Sequence, residues 1–304
     1  MTSKPPSPTA GPPPLRRVLV TGAAGLIGRE VLEHLRRHGI DGTALVREDP
    51  GDLPAGRVVV GDAADPATVR AALRGADGVV HLAALAAPSF GTAPEVFTTN
   101  TVATFTVLEE AGQAGIGNVT VAGSINALGL AFSPHPVRPP YVPMDGETPT
   151  QAADAYSMSK WADEATARGM YRRHGTTISV LRYPMVGGVA ADGRPDERTR
   201  RYVEPRRADP GLGVRDVWSY LSTYDAARAA LLALAPATPG VHVAFVAAPR
   251  TYLAEPTAAL LDRHLPGVPR HRELAGTEVP LDLTVAATVL GFVAARELTQ
   301  PHAS

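Results

Sequence analysis

Between Arg17 and His38 the chain reads as a strand, a glycine turn and a helix, and no other stretch restricts the fold as tightly. Arg17-Val-Leu-Val-Thr21 is a short apolar run, and Gly22-Ala-Ala-Gly25-Leu-Ile-Gly28 follows at once. From Arg29 onward Val31, Leu32 and Leu35 fall at helical spacing, and Gly39 supplies a stop. Glycines at such a turn let backbone approach a pyrophosphate, while the helix aims its first amides and the positive end of its dipole at the same point. Gly22, Gly25, Leu26, Ile27 and Gly28 are therefore expected to hold a nucleotide.

The strands that follow suit the rest of a dinucleotide. One over residues 42–46 ends at Arg47, where an acid would accept a ribose 2′-hydroxyl and a guanidinium suits a 2′-phosphate instead. Arg47 thus favours NADP over NAD, unless it is simply a solvated strand-end charge. A strand over 57–60 leads to Gly61-Asp62-Ala63, whose carboxylate can accept from an adenine amino group. Another over 78–84 ends in Leu82-Ala83-Ala84, where small side chains let a cofactor lie against backbone. A helix from Pro94 to about Gly115 carries Asn100, and a strand over 119–122 ends at Ser124. Six prolines between residues 130 and 149 make that stretch a long irregular loop, of a length that usually serves function. A helix from Asp154 to about His174 and a strand over 177–182 come next. This alternation predicts an α/β, Rossmann-like doubly wound parallel sheet with helices on both faces.

Tyr156 and Lys160 lie one helical turn apart on one face. A phenol with a pKa near ~10 is a poor acid–base group at neutral pH, and a neighbouring cation favours its ionised form. Lys4 and Lys160 are the only lysines in a chain whose other basic charge is almost wholly arginine, which singles Lys160 out.

Past Pro184 the alternation loosens. Residues 187–217 mix arginines 194, 198, 200, 201, 206 and 207 with acids, and mixed signs point to a solvated loop in preference to an anion-binding patch. Helices over 223–234, 255–265 and 283–290 and a strand over 241–246 complete the chain. The expected division is a disordered Pro-rich leader over 1–15, a dinucleotide-binding domain over 16–184, a small substrate-binding portion over 185–295 with 223–246 returning to the sheet, and a tail over 296–304.

Composition excludes several functions. A net charge of −1 gives no field to recruit nucleic acid or a membrane surface. Zero cysteines remove disulfides, thiolate metal sites and a cysteine nucleophile. The leader has no apolar signal core, and no run approaches the ~18 apolar residues of a membrane span, so a cytoplasmic protein is expected. His34 and His38 have a metal-compatible spacing but no third ligand nearby, so no metal site is expected. No Gly-x-Ser-x-Gly elbow occurs.

Taken together, Thr21-Gly-Ala-Ala-Gly-Leu-Ile-Gly28, His81-Leu-Ala-Ala84, Asn100-Thr-Val-Ala-Thr104, Ser124 and Tyr156-x-x-x-Lys160 resemble the extended short-chain dehydrogenase/reductases, in their nucleotide-sugar epimerase/dehydratase-like branch. The resemblance spans roughly 16–295. It implies that Tyr156 exchanges a proton with the substrate oxygen, that Ser124 hydrogen-bonds that oxygen, and that Lys160 holds the nicotinamide ribose and depresses the tyrosine's pKa, with Asn100 in the same catalytic group. It also implies that Tyr183, Pro184 and Val186 bind the cofactor and that Asn126 touches substrate. Helices over 95–115 and 154–174 form a dimer core in this family, which implies a homodimer.

Two departures narrow the substrate. Met185 stands where nucleotide-sugar enzymes of the branch have an asparagine, and Trp218, seven residues before Asp225, where they have an arginine for the diphosphate. Without those partners a small, non-nucleotide substrate with an apolar or ring face is expected against Met185 and Trp218. The 130–149 loop and Val217–Ser222 are more similar to uronate-dehydrogenase-type oxidoreductases. The expected activity is hydride transfer between NADP (or NAD) and a secondary alcohol or carbonyl. The alternatives are a nucleotide-sugar epimerase or dehydratase that retains NAD, and a non-catalytic nucleotide-sensing protein.

Overall fold

Strand β1 (Arg17–Thr21) is buried on both sides, with Val18 and Val20 facing one helical layer and Leu19 the other, the two-residue period of a central strand. The computed structural model describes residues 15–299. The expected leader up to Pro14 and the expected tail from Gln300 lie outside the described residues.

After β1 the chain forms α1 (Leu26–Arg37), β2 (Asp41–Val46), β3 (Arg57–Val60), α2 (Pro66–Ala72), β4 (Gly78–His81), α3 (Ala93–Gln113), β5 (Asn118–Ser124), α4 (Ala155–His174) and β6 (Thr177–Tyr183). Then come β7 (Met185–Gly187), α5 (Glu197–Ala208), β8 (Tyr220–Ser222), α6 (Thr223–Leu232), β9 (Val241–Phe245), α7 (Thr257–His264) and α8 (Thr284–Thr288). The main sheet has seven parallel strands in the order β3-β2-β1-β4-β5-β6-β9. Strand order reverses between β1 and β4, and such a switch point opens a crevice at the strands' carboxyl ends. On one face Val31, Leu32 and Leu35 of α1 pack with Ala226, Ala229 and Ala230 of α6. On the other, Ala103, Val107 and Ala111 of α3 pack with Ala167 and Met170 of α4.

Residues 185–222 and 248–274 build a second layer around the two-stranded parallel sheet β7–β8 and a core containing Trp218, Tyr220 and Tyr252, while α6 and β9 between them return to the main sheet. The arginine-rich stretch is not a solvated loop. Its charges fall at helical spacing, Glu197 pairing with Arg201 one turn on at 2.7 Å, while Asp196 caps the Thr199 amide at 2.7 Å and Thr199 and Val203 are buried, so residues 197–208 form α5. Helix α2, absent from the sequence reading, is short and depends on Asp65, whose carboxylate accepts from the Ala67 and Thr68 amides, with Pro66 opening the helix.

The loop over 130–149 is irregular but anchored. Val142 and Met144 are fully buried and form single bridges to Arg270 and Leu281. Residues 296–299 are not a free tail: the Leu298 amide donates to the Tyr220 hydroxyl at 2.7 Å and the Thr299 amide to the Gly193 carbonyl at 3.0 Å. Among the described residues no helix is long and apolar enough to cross a membrane, and no group of three His, Cys, Asp or Glu could hold a metal ion.

Candidate active site

A cavity of about 1080 Å³ opens at the carboxyl ends of the central strands. The glycine turn forms one wall, since Gly22, Gly25, Leu26, Ile27 and Gly28 all line it. Gly22 has φ +64°, and a side chain there would place its Cβ 2.8 Å from the Ala83 amide; a Cβ on Gly28 would lie 2.5 Å from the Gly22 carbonyl oxygen. Helix α1 begins at Gly25 without a side-chain cap, whereas α2, α3, α4, α5 and α6 each have one. The first amides of α1 are thus left to the cavity, and the donor set fits a pyrophosphate.

At the adenosine end, Arg47 borders this cavity and a smaller one of about 170 Å³ that also contains Asp62 and Ala63. The Asp62 carboxylate accepts from the Ala64 amide at 2.9 Å and so orders its own turn. Glu48 and Asp49, which the sequence reading did not single out, stand beside Arg47 on the wall. Leu82, Ala83 and Ala84 line the floor. Their position is set by Thr21, whose hydroxyl accepts from the Leu82 and Ala83 amides at 3.2 Å and shares a 2.7 Å hydrogen bond with His81 Nδ1. The other ring nitrogen of His81 meets the Thr104 hydroxyl at 3.1 Å. Burial, reinforced by the charge of Lys160, pushes the His81 pKa down to about 3 and keeps the ring neutral.

Ser124, Tyr156 and Lys160 all line the cavity. Parallel pairing places Ser124 at the end of β5 opposite Tyr183 of β6. The Ser124 hydroxyl accepts from the Asn126 amide at 3.1 Å, which leaves its proton for a substrate oxygen. Helix α4 is fixed at its start by Asp154, whose carboxylate accepts from the Ser157 amide at 2.9 Å, and this cap sets the direction of Tyr156 and Lys160. Lys160 is almost wholly buried and donates to the Ala122 carbonyl at 3.0 Å and to Asp163 at 3.1 Å. An ammonium has three N–H groups, so one remains for the cavity. Burial alone would lower the Lys160 pKa, but the Asp163 carboxylate and then the Tyr156 phenol outweigh it and hold the ammonium above the usual lysine range. Asp163 escaped the sequence reading, although its place three residues after Lys160 on the same helix was a usable signal.

Three expected site residues stand elsewhere or act differently. Asn100 is fully buried behind the cavity: its side chain accepts from the Leu85 amide at 2.7 Å and donates to the Leu85 carbonyl and the Ser159 hydroxyl, tying α3 to α4. It is a positioning residue, not a catalytic one. Trp218 is not a substrate wall. It is fully buried, its indole donates to the Pro210 carbonyl at 2.8 Å, and it belongs to the core around Tyr220 and Tyr252, because Val217 and Trp218 both take positive φ and turn the side chain inward. Tyr183 lines the cavity, but its hydroxyl donates to the Ala226 carbonyl at 3.0 Å and burial raises its pKa, so only its ring is available.

Pro184, Met185, Val186 and Asn126 line the cavity beside these groups. The distal wall comes from the proline-rich loop and from the arginine-bearing stretch that the sequence reading took for a solvated loop. Phe132 of the proline-rich loop meets the Tyr156 ring edge to face at 5.8 Å, and Arg198, Tyr202, Arg206, Leu212 and Arg215 close the far end.

The model of a family described as the NAD dependent epimerase/dehydratase family matches residues 18–246. A UDP-glucose 4-epimerase of Corynebacterium glutamicum is 27% identical over 256 residues, covering 75% of this chain and 74% of its own length. A 3-diazoavenalumate denitrifying reductase of a Streptomyces species is 32% identical over 240 residues, covering 75% of each. Among solved structures, a short-chain dehydrogenase/reductase superfamily protein from Agrobacterium tumefaciens with bound NAD superposes with a TM-score of 0.67 over 92% of both chains at 22% identity, a likeness of fold.

Proposed function

The chain belongs to the NAD dependent epimerase/dehydratase family, and from that premise we propose that it is a dehydrogenase or ketoreductase acting on a secondary alcohol or carbonyl of a small, non-nucleotide molecule. The family membership sets aside the non-catalytic alternative. The carrying observation is that Ser124, Tyr156 and Lys160 share one cavity with the glycine turn.

Gly22 to Gly28 would hold the pyrophosphate, Lys160 the nicotinamide ribose, and Tyr183, Pro184 and Val186 the ring. When bound, the nicotinamide supplies or accepts the hydride. The chain's own residues do the rest. The Tyr156 hydroxyl gives a proton to the substrate oxygen in reduction and takes it back in oxidation, and the Ser124 hydroxyl donates to the same oxygen as charge builds there. Lys160 is kept charged by Asp163 beside the Tyr156 phenol. Replacing Tyr156 with Phe should abolish turnover while nucleotide binding persists; a fully active Tyr156→Phe variant would sink the proposal.

Arg47 supports a preference for NADPH over NADH, since among the described residues no carboxylate pairs with it. Tight-binding titrations should show the phosphate-bearing form favoured and Arg47→Ala should erase the difference. The acidic neighbours Glu48 and Asp49 would explain the opposite result.

The second reading is a nucleotide-sugar epimerase, favoured by relatives such as the Corynebacterium enzyme. Purified protein would then carry tightly held cofactor and interconvert sugars without added nicotinamide. For assembly, Phe97 and Phe105 of α3 and Met158 and Trp161 of α4 are exposed, and Phe105 and Trp161 are each 51% accessible. Two copies pairing through this apolar face would bury it. Light scattering should give a dimer that Trp161→Glu converts to monomer.

A further inference from the structure

The walls of the cavity beyond the reacting groups point to a substrate class. Resting on the oxidoreductase reading above, we propose that the substrate has a flat apolar body carrying a carboxylate, and that it is neither a sugar acid nor a nucleotide sugar.

The apolar part of the argument is the surface around Tyr156. Phe132 stacks its ring edge to face with Tyr156 and is still 39% exposed, and Phe90 and Leu212, also on the cavity wall, are 63% and 54% exposed. Met185 completes this surface. Large apolar side chains left in water around a concave site gain from covering by an apolar ligand. A hexose presents hydroxyls on nearly every carbon, and each one desolvated without a partner is costly. Neutral polar groups for them are few here. Ser124 and Tyr156 serve the reacting oxygen, and the Tyr202 hydroxyl already donates to Asp216. Asn126 is left.

The anionic part is the far end. Arg198 donates to the Val186 carbonyl at 3.2 Å and Arg215 to the Ser133 carbonyl at 2.9 Å; neither has a carboxylate partner among the described residues. Arg206 lies over the Tyr202 ring at 3.7 Å, with its Nε 3.5 Å from Asp216. Asp216 is the one acid on this wall, and it is shared among Arg206, the Tyr202 and Tyr252 hydroxyls and the Trp218 amide. Three guanidiniums against one shared carboxylate leave a net positive wall. A carboxylate is matched by the guanidinium fork, whereas a neutral ligand gains nothing there.

The test is calorimetric titration of the nucleotide-saturated full chain with four probes: 4-oxo-4-phenylbutanoate, its methyl ester, glucuronate and UDP-glucose. The aryl keto acid should bind at least tenfold more tightly than each of the others. Arg206→Gln and Arg215→Gln should each cut its affinity about tenfold and leave the ester unchanged, while Phe132→Ser should weaken acid and ester alike. No binding of the aryl acid, equal binding of its ester, or tighter binding of glucuronate or UDP-glucose would overturn the inference. The parent reading fails separately: an aryl acid that binds with the expected preference while no carbonyl or alcohol is turned over sinks the oxidoreductase assignment and leaves the shape of the site standing.

Discussion

Replacing Glu164 with glutamine is expected to cost about 3–5 kcal/mol, a large share of the ~5–15 kcal/mol that holds a domain together. Arg182 of β6 and Glu164 of α4 form a two-pronged pair, Nε to Oε1 at 2.8 Å and Nη2 to Oε2 at 3.0 Å, with side chains only 4% and 6% exposed. Unit charges ~4 Å apart interact by ~4 kcal/mol at the effective dielectric that suits protein sites. The substitution keeps the shape and one acceptor but removes that charge, leaving a guanidinium with the Asp145 carbonyl at 3.0 Å and the Phe245 ring at 5.1 Å. The change should appear as a lower urea midpoint at unchanged slope, followed by far-UV circular dichroism and by the fluorescence of buried Trp218. Removing both charges in Arg182→Leu/Glu164→Leu should cost less than the single change, because no buried ion is stranded. A loss below ~1 kcal/mol for Glu164→Gln, the size typical of an exposed pair, would refute this account of how α4 is joined to the sheet.

Gly28→Val should abolish nucleotide binding measured by fluorescence titration, since even its Cβ would stand 2.5 Å from the Gly22 carbonyl oxygen and force the turn apart; retained binding would mean the turn is not the phosphate site. His81, neutral when folded with a pKa near 3 against ~6.5 unfolded, makes the unfolded chain take up a proton first, so its stabilising contribution is full above pH ~6.5 and falls by ~1.4 kcal/mol per pH unit on acidification towards 3. Urea unfolding of His81→Gln should show a correspondingly shallower loss between pH 6.5 and 5; equal slopes in both proteins would contradict it. Asp216, raised to about 6 by burial, acts with the opposite sign but is common to both proteins and cancels in the comparison. Asp163→Asn removes the largest of the influences that raise the Lys160 pKa against its burial, so the alkaline limb of the kcat/KM profile should move to lower pH; an unmoved limb would show that Asp163 does not govern the lysine.

What the sequence disclosed and what it hid divide along physical lines. Gly22, Gly28, Ser124, Tyr156 and Lys160 act through local backbone shape or through a single helical turn, and local patterns can be read along a chain. The seven strands of the main sheet were legible for the same reason, as in the run Val18, Leu19 and Val20 buried on both faces, whereas the three-residue strands β7 and β8 are too short to show a pattern. Trp218 misled because its orientation depends on two consecutive positive-φ residues, Val217 and Trp218, which are not glycine and give no compositional warning. Asn100 misled because a buried polar side chain beside a site looks, in sequence, like one inside it. Arg206 and Arg215 are brought beside Asp216 and the cavity by packing of α5 against the segment before β8, contacts that no short-range period encodes.

The strap formed by residues 295–299 also bears on how the protein is made. Asp225 accepts the Ala295 and Arg296 amides at 2.9 and 2.8 Å, and the next residues are pinned to Tyr220 and Gly193. On a ribosome, the nucleotide half has all its strands once Phe245 has emerged and can begin to assemble from the N-terminal side. The layer bearing α5 and its arginines must wait for about fifty further residues before its latch exists. A nascent chain should therefore gain the means to hold nucleotide before it can close the pocket that selects what reacts with it.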